Sequence, residues 1–176
     1  MRHGLPALSL VLALLGCHRA APVDPAYLAG VEALRAERLA ELTAADGWLT
    51  LVAREVLEPG ENVVGSDPAA AVTLDAPGIP PKACVLDLRP DGTVVLGAEV
   101  GAPVAVNGAP PTEAPLVPEG EGRKHDVVTV GRVRLSLFEK DGRFLVRARD
   151  SESPRRTAFA GLKYFPLDPA YRVEGR

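Results

Sequence analysis

The chain has 176 residues and a formal net charge of −3, with 47% hydrophobic and only 5% aromatic residues. This length favours a single domain. Glycine and proline number 17 each, which argues against an all-helical bundle and favours short strands joined by turns. The ordinary hydrophobic fraction excludes disorder throughout, and two cysteines are too few for a disulfide framework or a multi-cysteine zinc site.

Residues 1–16 have the pattern of an export signal. Arg2 supplies the positive charge, residues 5–15 form an apolar run, and the small residue Gly16 precedes Cys17. Such a run is too short to span a bilayer, which takes about 20 residues. Leu-Leu-Gly-Cys at its end resembles the bacterial lipoprotein signal, which implies that Cys17 is lipidated and begins the mature chain. An ordinary signal peptide or a buried N-terminal helix is the alternative.

The lipoprotein resemblance also implies a location. Residues 17–23 become a short tether, and the membrane is the first expected partner, reached through the N-terminal lipid. His18 stands where an inner-membrane retention signal usually carries Asp. We therefore expect the protein in the cell envelope, on the outer membrane and facing the periplasm.

One amphipathic helix is predicted over residues 24–47. Asp24 and Pro25 match the cap and first position of a helix, and Gly47 matches a left-handed C-terminal cap. Leucine and valine residues recur between them at roughly helical spacing. We expect this helix to pack against the body of the domain, pinned to the sheet by Tyr27 and Trp48.

Residues 48–149 read as a succession of short strands. Turn signals, among them Asn107-Gly108 and Asp141-Gly142, separate runs of β-branched and apolar residues. The pattern predicts an antiparallel sandwich or barrel. The proline-rich residues 109–122 read as a mobile loop, and residues 150–176 as an irregular segment rich in arginine and aromatic residues. The nine runs are 49–56, 62–65, 71–74, 84–88, 93–96, 104–106, 126–130, 132–138 and 143–149.

The sequence shows no set of residues that signals catalysis. It has no glycine-rich phosphate loop and no metal-ligand cluster, so we expect no cofactor and no metal. Cys84 lies in an apolar run, which favours a buried, inert thiol over a nucleophile. His125 is the only reasonable base for a serine nucleophile, and it reads as part of a solvated junction between loop and strand. An enzyme is therefore unsupported.

Charge is divided unevenly along the chain. Residues 17–121 carry 6 basic and 16 acidic side chains, whereas residues 122–176 carry 13 basic and 7 acidic ones. The basic part could meet a small anionic ligand, a protein or a lipid surface; alternatively, it neutralises the acidic part of the same domain. An acidic, exported chain argues against nucleic acid as a partner.

The last predicted strand carries the candidate binding residues. Arg147 and Arg149 fall on one face, two residues apart. Asp150 and the nearby Glu152 could pair with them, or with Arg155 and Arg156, as purely structural contacts. The alternative is an anion-binding patch of Arg147, Arg149 and Asp150, edged by Tyr164 and Phe165.

Residues 61–108 resemble a forkhead-associated domain, a β-sandwich that recognises phosphothreonine. The pattern from Glu61 to Asp67 and the later Asn107-Gly108 carry the resemblance. However, Ser66 stands where the family has Arg, and Pro80 and Ala83 stand at its Ser and His positions. The resemblance implies the sandwich scaffold without its phosphate ligands, so we do not expect a phosphothreonine peptide as partner.

Several segments from residue 27 onward resemble the bacterial domain-of-unknown-function family 1684, many of whose members are lipoproteins. Members of that family usually continue into a second conserved half, so the resemblance covers their first half only. The segments that carry the resemblance are Tyr27 with Arg35 and Arg38, then 46–51, 59–67, 147–154, 159–166 and 168–172.

Together these observations predict a mainly β protein, an antiparallel β-sandwich of forkhead-associated type preceded by one amphipathic helix. The expected function is a non-catalytic binding or interaction module, anchored by lipid in the cell envelope. The alternatives are an enzyme or enzyme remnant of hydrolase type that lacks its second half, and a purely structural lipoprotein.

Lipidation can be tested directly at Cys17. We expect metabolic labelling with a palmitate analogue to mark the wild-type protein and to be lost in Cys17→Ser, because the thiol is the acceptor of the lipid. Cys84→Ser is the control and should keep the label. Retained labelling of Cys17→Ser would contradict the assignment.

Overall fold

The structure, a computed structural model, describes residues 23–120, 122, 124–168, 171 and 173. The predicted signal at residues 1–16, Cys17 and nearly all of the tether lie outside these residues. The chain divides into a smaller unit, Met1–Leu34 with Lys163–Arg176, and a larger unit, Arg35–Leu162. Each is described by itself.

Nine strands, all in the larger unit, make up most of the regular structure described. The helices are α1 (Pro25–Thr43) and the short α2 (Pro154–Thr157), with a 3-10 turn at Trp48–Thr50. The strands are β1 (Leu51–Val56), β2 (Gly60–Gly65), β3 (Val72–Thr73), β4 (Cys84–Leu88), β5 (Val94–Ala98), β6 (Val104–Val106), β7 (Val127–Val130), β8 (Val133–Lys140) and β9 (Arg143–Arg149).

The strands form two sheets. One has five strands in the order β1-β9-β8-β7-β6, and the other has four in the order β3-β2-β4-β5. The prediction of a mainly β protein with one N-terminal helix and two sheets is confirmed. One strand departs from the antiparallel pattern: β3 runs parallel to β2 and makes the second sheet mixed. Only two residue pairs form this contact, at the edge of β2 opposite β4.

The core lies between the sheets and follows the alternation of the strands. Val64 and Leu86 from the second sheet, and Leu135 and Val146 from the first, belong to one buried cluster. Cys84 is in the same cluster, and burial raises the pKa of its thiol to about 12. The thiol is therefore neutral at physiological pH, and the prediction of a buried strand cysteine is confirmed.

Two predicted turns have the backbone that their sequences favour. Asn107 and Gly108 have φ angles of 53° and 79°, and Asp141 and Gly142 have 54° and 72°. Positive φ at both central residues matches the right-handed twist of a hairpin, and Asn-Gly and Asp-Gly tolerate it best. The second turn joins β8 to β9 and sets their register.

The helix differs from its prediction at its C-terminus. It begins as expected, with the Asp24 carboxylate accepting a hydrogen bond from the Ala26 amide at 2.9 Å. It ends at Thr43, and Gly47 has a φ of −70°, so Gly47 is no left-handed cap. Glycine is required there for another reason: a Cβ at Gly47 would collide with the Glu41 carbonyl oxygen.

The predicted packing of this helix against the body of the domain stays a prediction, because the helix begins in the smaller unit. None of its residues is buried, and Leu34 is 65% exposed. Trp48 is 74% exposed and does not pin the helix. Within the larger unit, the C-terminus of the helix is held instead by Arg156, whose Nε donates a hydrogen bond to the Thr43 carbonyl at 2.8 Å. None of the helices in the described residues is long and apolar enough to cross a membrane.

Two segments predicted to be irregular or mobile make defined contacts where the structure describes them. The C-terminal segment contains α2, and the Ser153 hydroxyl donates to the Leu49 carbonyl at 2.8 Å. The loop predicted as mobile is attached to both sheets where it is described. Leu116 is buried and donates its amide to Val94 of the second sheet at 2.8 Å, and Glu119 forms a parallel bridge with Phe138 of the first.

Gly65 offers a test of the packing beside β2. A Cβ there would overlap the backbone of Pro81, whose carbonyl cannot move without disturbing the neighbouring hydrogen bonds. Gly65→Ala should lower the free energy of unfolding in urea by about 2 kcal/mol or more. Gly97→Ala is the matched control, since nothing lies within 4 Å of its Cβ position, and it should change stability by less than about 1 kcal/mol. Equal effects of the two changes would contradict this packing.

Candidate functional site

The outer face of the five-stranded sheet carries four arginines. In the ladder between β8 and β9, Arg134 lies opposite Arg149, and Ser136 lies opposite Arg147. Arg54 of β1 lies opposite Arg147 on its other side. Because Leu135, Leu137, Val146 and Ala148 face the core, the intervening side chains must face outward. We call Arg54, Arg134, Arg147 and Arg149 the arginine face.

Phe138 supports one half of the arginine face. The guanidinium carbon of Arg147 lies 4.5 Å from the centroid of the Phe138 ring, and that of Arg54 lies 5.6 Å from it. Both distances suit a cation–π interaction. A guanidinium nitrogen of Arg147 also lies 3.6 Å from a carboxylate oxygen of Glu119. Arg147 is thus held in place by a ring and a carboxylate.

Arg149 lacks comparable partners. Its Nε atom is buried and has no hydrogen-bond partner in the part of the chain that the structure describes. Burial lowers the pKa of Arg149, and the positive charges of Arg147 and Arg134 act in the same direction, whereas the carboxylates of Glu119 and Asp46 oppose them. Arginine nevertheless stays charged at physiological pH. Here a partly buried cation faces two other cations.

A cavity of about 270 Å³ adjoins this side chain. Arg134 and Arg149 bring cations to its wall, and Asp46 and Glu119 bring carboxylates. His125 and Ser136 also line it, but no hydrogen bond joins His125 to a serine or carboxylate among the residues described. The wall therefore offers hydrogen-bond donors to an anion, but no nucleophile in contact with a base.

Asp150, a predicted site residue, has a structural role instead. It is 1% exposed, and one of its carboxylate oxygens accepts hydrogen bonds from Arg132 at 2.8 and 3.2 Å. Glu152 accepts from the same guanidinium at 2.7 Å. The partner of both acids is thus Arg132. The sequence had suggested Arg147, Arg149, Arg155 or Arg156 instead. The hydrogen bond with Asp150 raises the pKa of Arg132.

The predicted aromatic edge lies in the smaller unit. Phe165 is 92% exposed and Tyr164 45% exposed, and both have partners of their own. Phe165 lines a concavity of about 720 Å³ together with Tyr27 and Tyr171 of the same unit. Their predicted place beside the arginine patch stays a prediction.

The positions that would read phosphothreonine have structural uses. The Ser66 amide donates to the Pro80 carbonyl at 3.0 Å. The side chain of Asn107 donates to the Asp126 carboxylate at 2.6 Å and accepts from the Val127 amide at 3.0 Å. Asn107 thereby closes the long loop onto β7.

Sequence reasoning missed Arg54, Arg134 and Phe138 as members of the site. A signal for two of them was present. Counting outward from the Asp141-Gly142 turn places Arg134 opposite Arg149 and Ser136 opposite Arg147. Phe138 lies two residues after Ser136 and therefore shares its face, next to Arg147. Arg54 gave no such signal, because β1 and β9 lie far apart in the sequence. Their pairing also has a register shift between Leu51 and Ala53.

Comparison with known proteins gives a structural likeness only. No protein-family model matches the chain, and no curated protein matches it significantly. The chain is similar to a crystal structure of the FhaA FHA domain complexed with the intracellular domain of Rv3910, at 18% identity and a TM-score of 0.36. That similarity covers 55% of this chain and 97% of the other. A structure from a study of phosphothreonine-dependent FHA domain interactions is also similar, at 18% identity and a TM-score of 0.36. That similarity covers 55% of this chain and 92% of the other chain. The resemblance to family 1684 gains no support from these comparisons.

The unpartnered state of Arg149 predicts an unusual effect on stability. Arg149→Met should raise the free energy of unfolding by about 0.5–1 kcal/mol in buffer without multivalent anions, because it removes the repulsion across β8 and β9. Arg132→Met should instead lower it by about 3 kcal/mol, because Asp150 would remain buried without its cation. Urea unfolding followed by circular dichroism measures both. A loss of stability in Arg149→Met would show that Arg149 has a stabilising partner.

Proposed function

We propose that the protein is a lipid-anchored, non-catalytic binding module of the bacterial cell envelope, whose arginine face takes an anionic ligand. The single observation that carries this proposal is the partly buried Arg149 beside a cavity, with a buried Nε that lacks a partner among the described residues. A buried donor of this kind costs free energy unless something bonds it. An anion in the cavity would supply that bond.

The neighbouring charges support the same proposal. Like charges directly opposite each other in a ladder destabilise a sheet, yet Arg134 and Arg149 occupy such a pair. Perturbed groups beside a cavity are typical of functional sites. An anion between the two guanidinium groups would turn their repulsion into two charge-assisted interactions.

The lipid anchor in this proposal is supported by the sequence alone. Residues 1–16 and Cys17 carry the pattern of a lipoprotein signal, and His18 favours the outer membrane, facing the periplasm. The resemblance to family 1684, many of whose members are lipoproteins, points the same way. The binding module would then work at the end of a short tether.

Thermal unfolding tests the anion site. We expect sodium phosphate to raise the melting temperature of the full chain above that in sodium chloride of equal ionic strength. A ligand at ten times its Kd stabilises a protein by about 1.4 kcal/mol. Arg149→Gln should abolish the difference, because it removes the guanidinium from the cavity.

Arg89→Gln is the matched control. Arg89 lies in the other part of the sandwich, after β4, and pairs with Asp87 at 3.6 Å, so the same change in net charge should leave the phosphate effect intact. An equal phosphate effect in wild type, Arg149→Gln and Arg89→Gln would overturn the proposal. No effect of phosphate, sulfate or acetate in any of them would favour a structural lipoprotein without a ligand.

A further inference from the structure

We infer that the ligand of the arginine face is an extended peptide segment with carboxylates on alternate residues. This inference rests on the proposed anion-binding function and specifies the chemical class of its ligand. It is argued from the spacing of the arginines and from the Glu119 carboxylate, which pairs with Arg147.

The arginine face consists of two rows. Arg54 and Arg147 form the first row, across β1 and β9, and Arg134 and Arg149 form the second row, across β8 and β9. Neighbours within a row lie on adjacent strands, about 4.8 Å apart. The two rows are two residues apart along β9, which corresponds to about 6.7 Å.

This spacing selects a ligand with two separate anionic groups. A single small anion of phosphate size reaches only one row. The side chains of an extended peptide repeat on one face every two residues, at the same distance of about 6.7 Å. Two carboxylates in the pattern acid-x-acid would therefore meet both rows. Arginine suits such a ligand because its planar fork binds a carboxylate through two parallel hydrogen bonds.

Glu119 shows how one such carboxylate is presented. Its amide donates a hydrogen bond to the Leu137 carbonyl at 2.6 Å, and its backbone bridges Phe138 in parallel orientation. Its carboxylate lies 3.6 Å from Arg147 of the first row. One glutamate on an isolated bridge is thus already accommodated beside β8, and its ion pair is with Arg147 of the first row. The second row, with the unpartnered Nε of Arg149, has no counterpart to it among the ion pairs of the described residues.

The carboxylates in the cavity wall argue against a broad anionic surface, such as a lipid bilayer, as the ligand. Asp46 and Glu119 are both exposed and line the same cavity as Arg134 and Arg149. A lipid surface of uniform negative charge would bring its phosphates against these carboxylates as well as against the arginines. Individual acidic side chains can enter between them, which favours a peptide.

Glu119 should then compete with the incoming peptide for Arg147. Its side chain is exposed, and its pair with the partly buried Arg147 is longer than an ideal charge-assisted hydrogen bond. Breaking this ion pair therefore costs little free energy. Replacing the Glu119 carboxylate should nevertheless strengthen peptide binding, because a competitor for Arg147 is removed.

Fluorescence anisotropy of labelled peptides tests the inference with the full chain in a non-ionic detergent. One peptide carries Glu-Ser-Glu between neutral Gly-Ser flanks, and the other has the same composition with the two glutamates adjacent. Adjacent glutamates point to opposite faces of an extended chain. We expect the alternating peptide to bind about fivefold more tightly, which corresponds to one additional ion pair of moderate strength.

The variants assign the effect to named side chains. Arg134→Gln should weaken binding of the alternating peptide about fivefold and remove its advantage over the adjacent one. Glu119→Gln should strengthen binding about twofold to fivefold, by removing the internal competitor. Arg89→Gln and Glu113→Gln, which make the same changes outside the arginine face, should leave both affinities unchanged.

Each other outcome overturns the inference in a recognisable way. Equal binding of the two peptides, with the phosphate effect still dependent on Arg149, would refute the alternating peptide and keep the anion site. Stabilisation by glycerol phosphate that is lost in Arg134→Gln, without binding of either peptide, would assign the face to a lipid or other phosphate headgroup. No dependence on Arg134 or Arg149 in any assay would refute both proposals together.

Discussion

The pairing of β8 with β9 is the constraint on which the rest of the site depends. Asp141 and Gly142, both with positive φ, close this hairpin and set its register from Lys140–Arg143 to Arg134–Arg149. A slip of one residue would exchange the core and outer faces of β9. The arginines would then lie between the sheets, and Val146 and Ala148 would lie in solvent. The same register brings Arg132 to the end of β9, where it meets Asp150.

Features encoded by local pattern were predictable. All nine strands occur where β-branched runs alternate between turn signals, and Cys84 is buried because its neighbours are apolar. Arg147 and Arg149 share a face because strand side chains alternate, which needs no knowledge of the partner strands. For the arginine face, the sequence therefore indicated the two arginines of β9 but not those of β1 and β8.

Features that depend on distant contacts were not predictable in the same way. Helical spacing of leucines predicted a packing helix, but spacing does not reveal whether another surface covers them, and Leu34 is exposed. Prolines suggested a mobile loop, whereas Leu116 is buried and attaches the loop to the second sheet. Gly47 was expected to provide a left-handed cap, yet glycine is needed for a close approach to the Glu41 carbonyl, which only the folded backbone shows.

Arg132, just before β8, and Arg149, the last residue of β9, show how the same residue type has different environments near one end of a hairpin. Arg132 bonds two carboxylates and ties the C-terminal segment to the sheet. Arg149 instead has a buried Nε without a hydrogen-bond partner among the described residues. Burial of charge without compensation is expected where function, and not stability, determines the residue.

The structure of the outer edge of the five-stranded sheet affects how copies of the protein would associate at high local concentration. β1 forms this edge, and its pairing with β9 shifts register between Leu51 and Ala53. Irregularity and charge, here from Arg54 and Glu55, hinder another strand from adding to an open edge. Many copies held at high local concentration would meet edge to edge far more often than in dilute solution. This irregular, charged border would keep them from fusing into continuous intermolecular sheets.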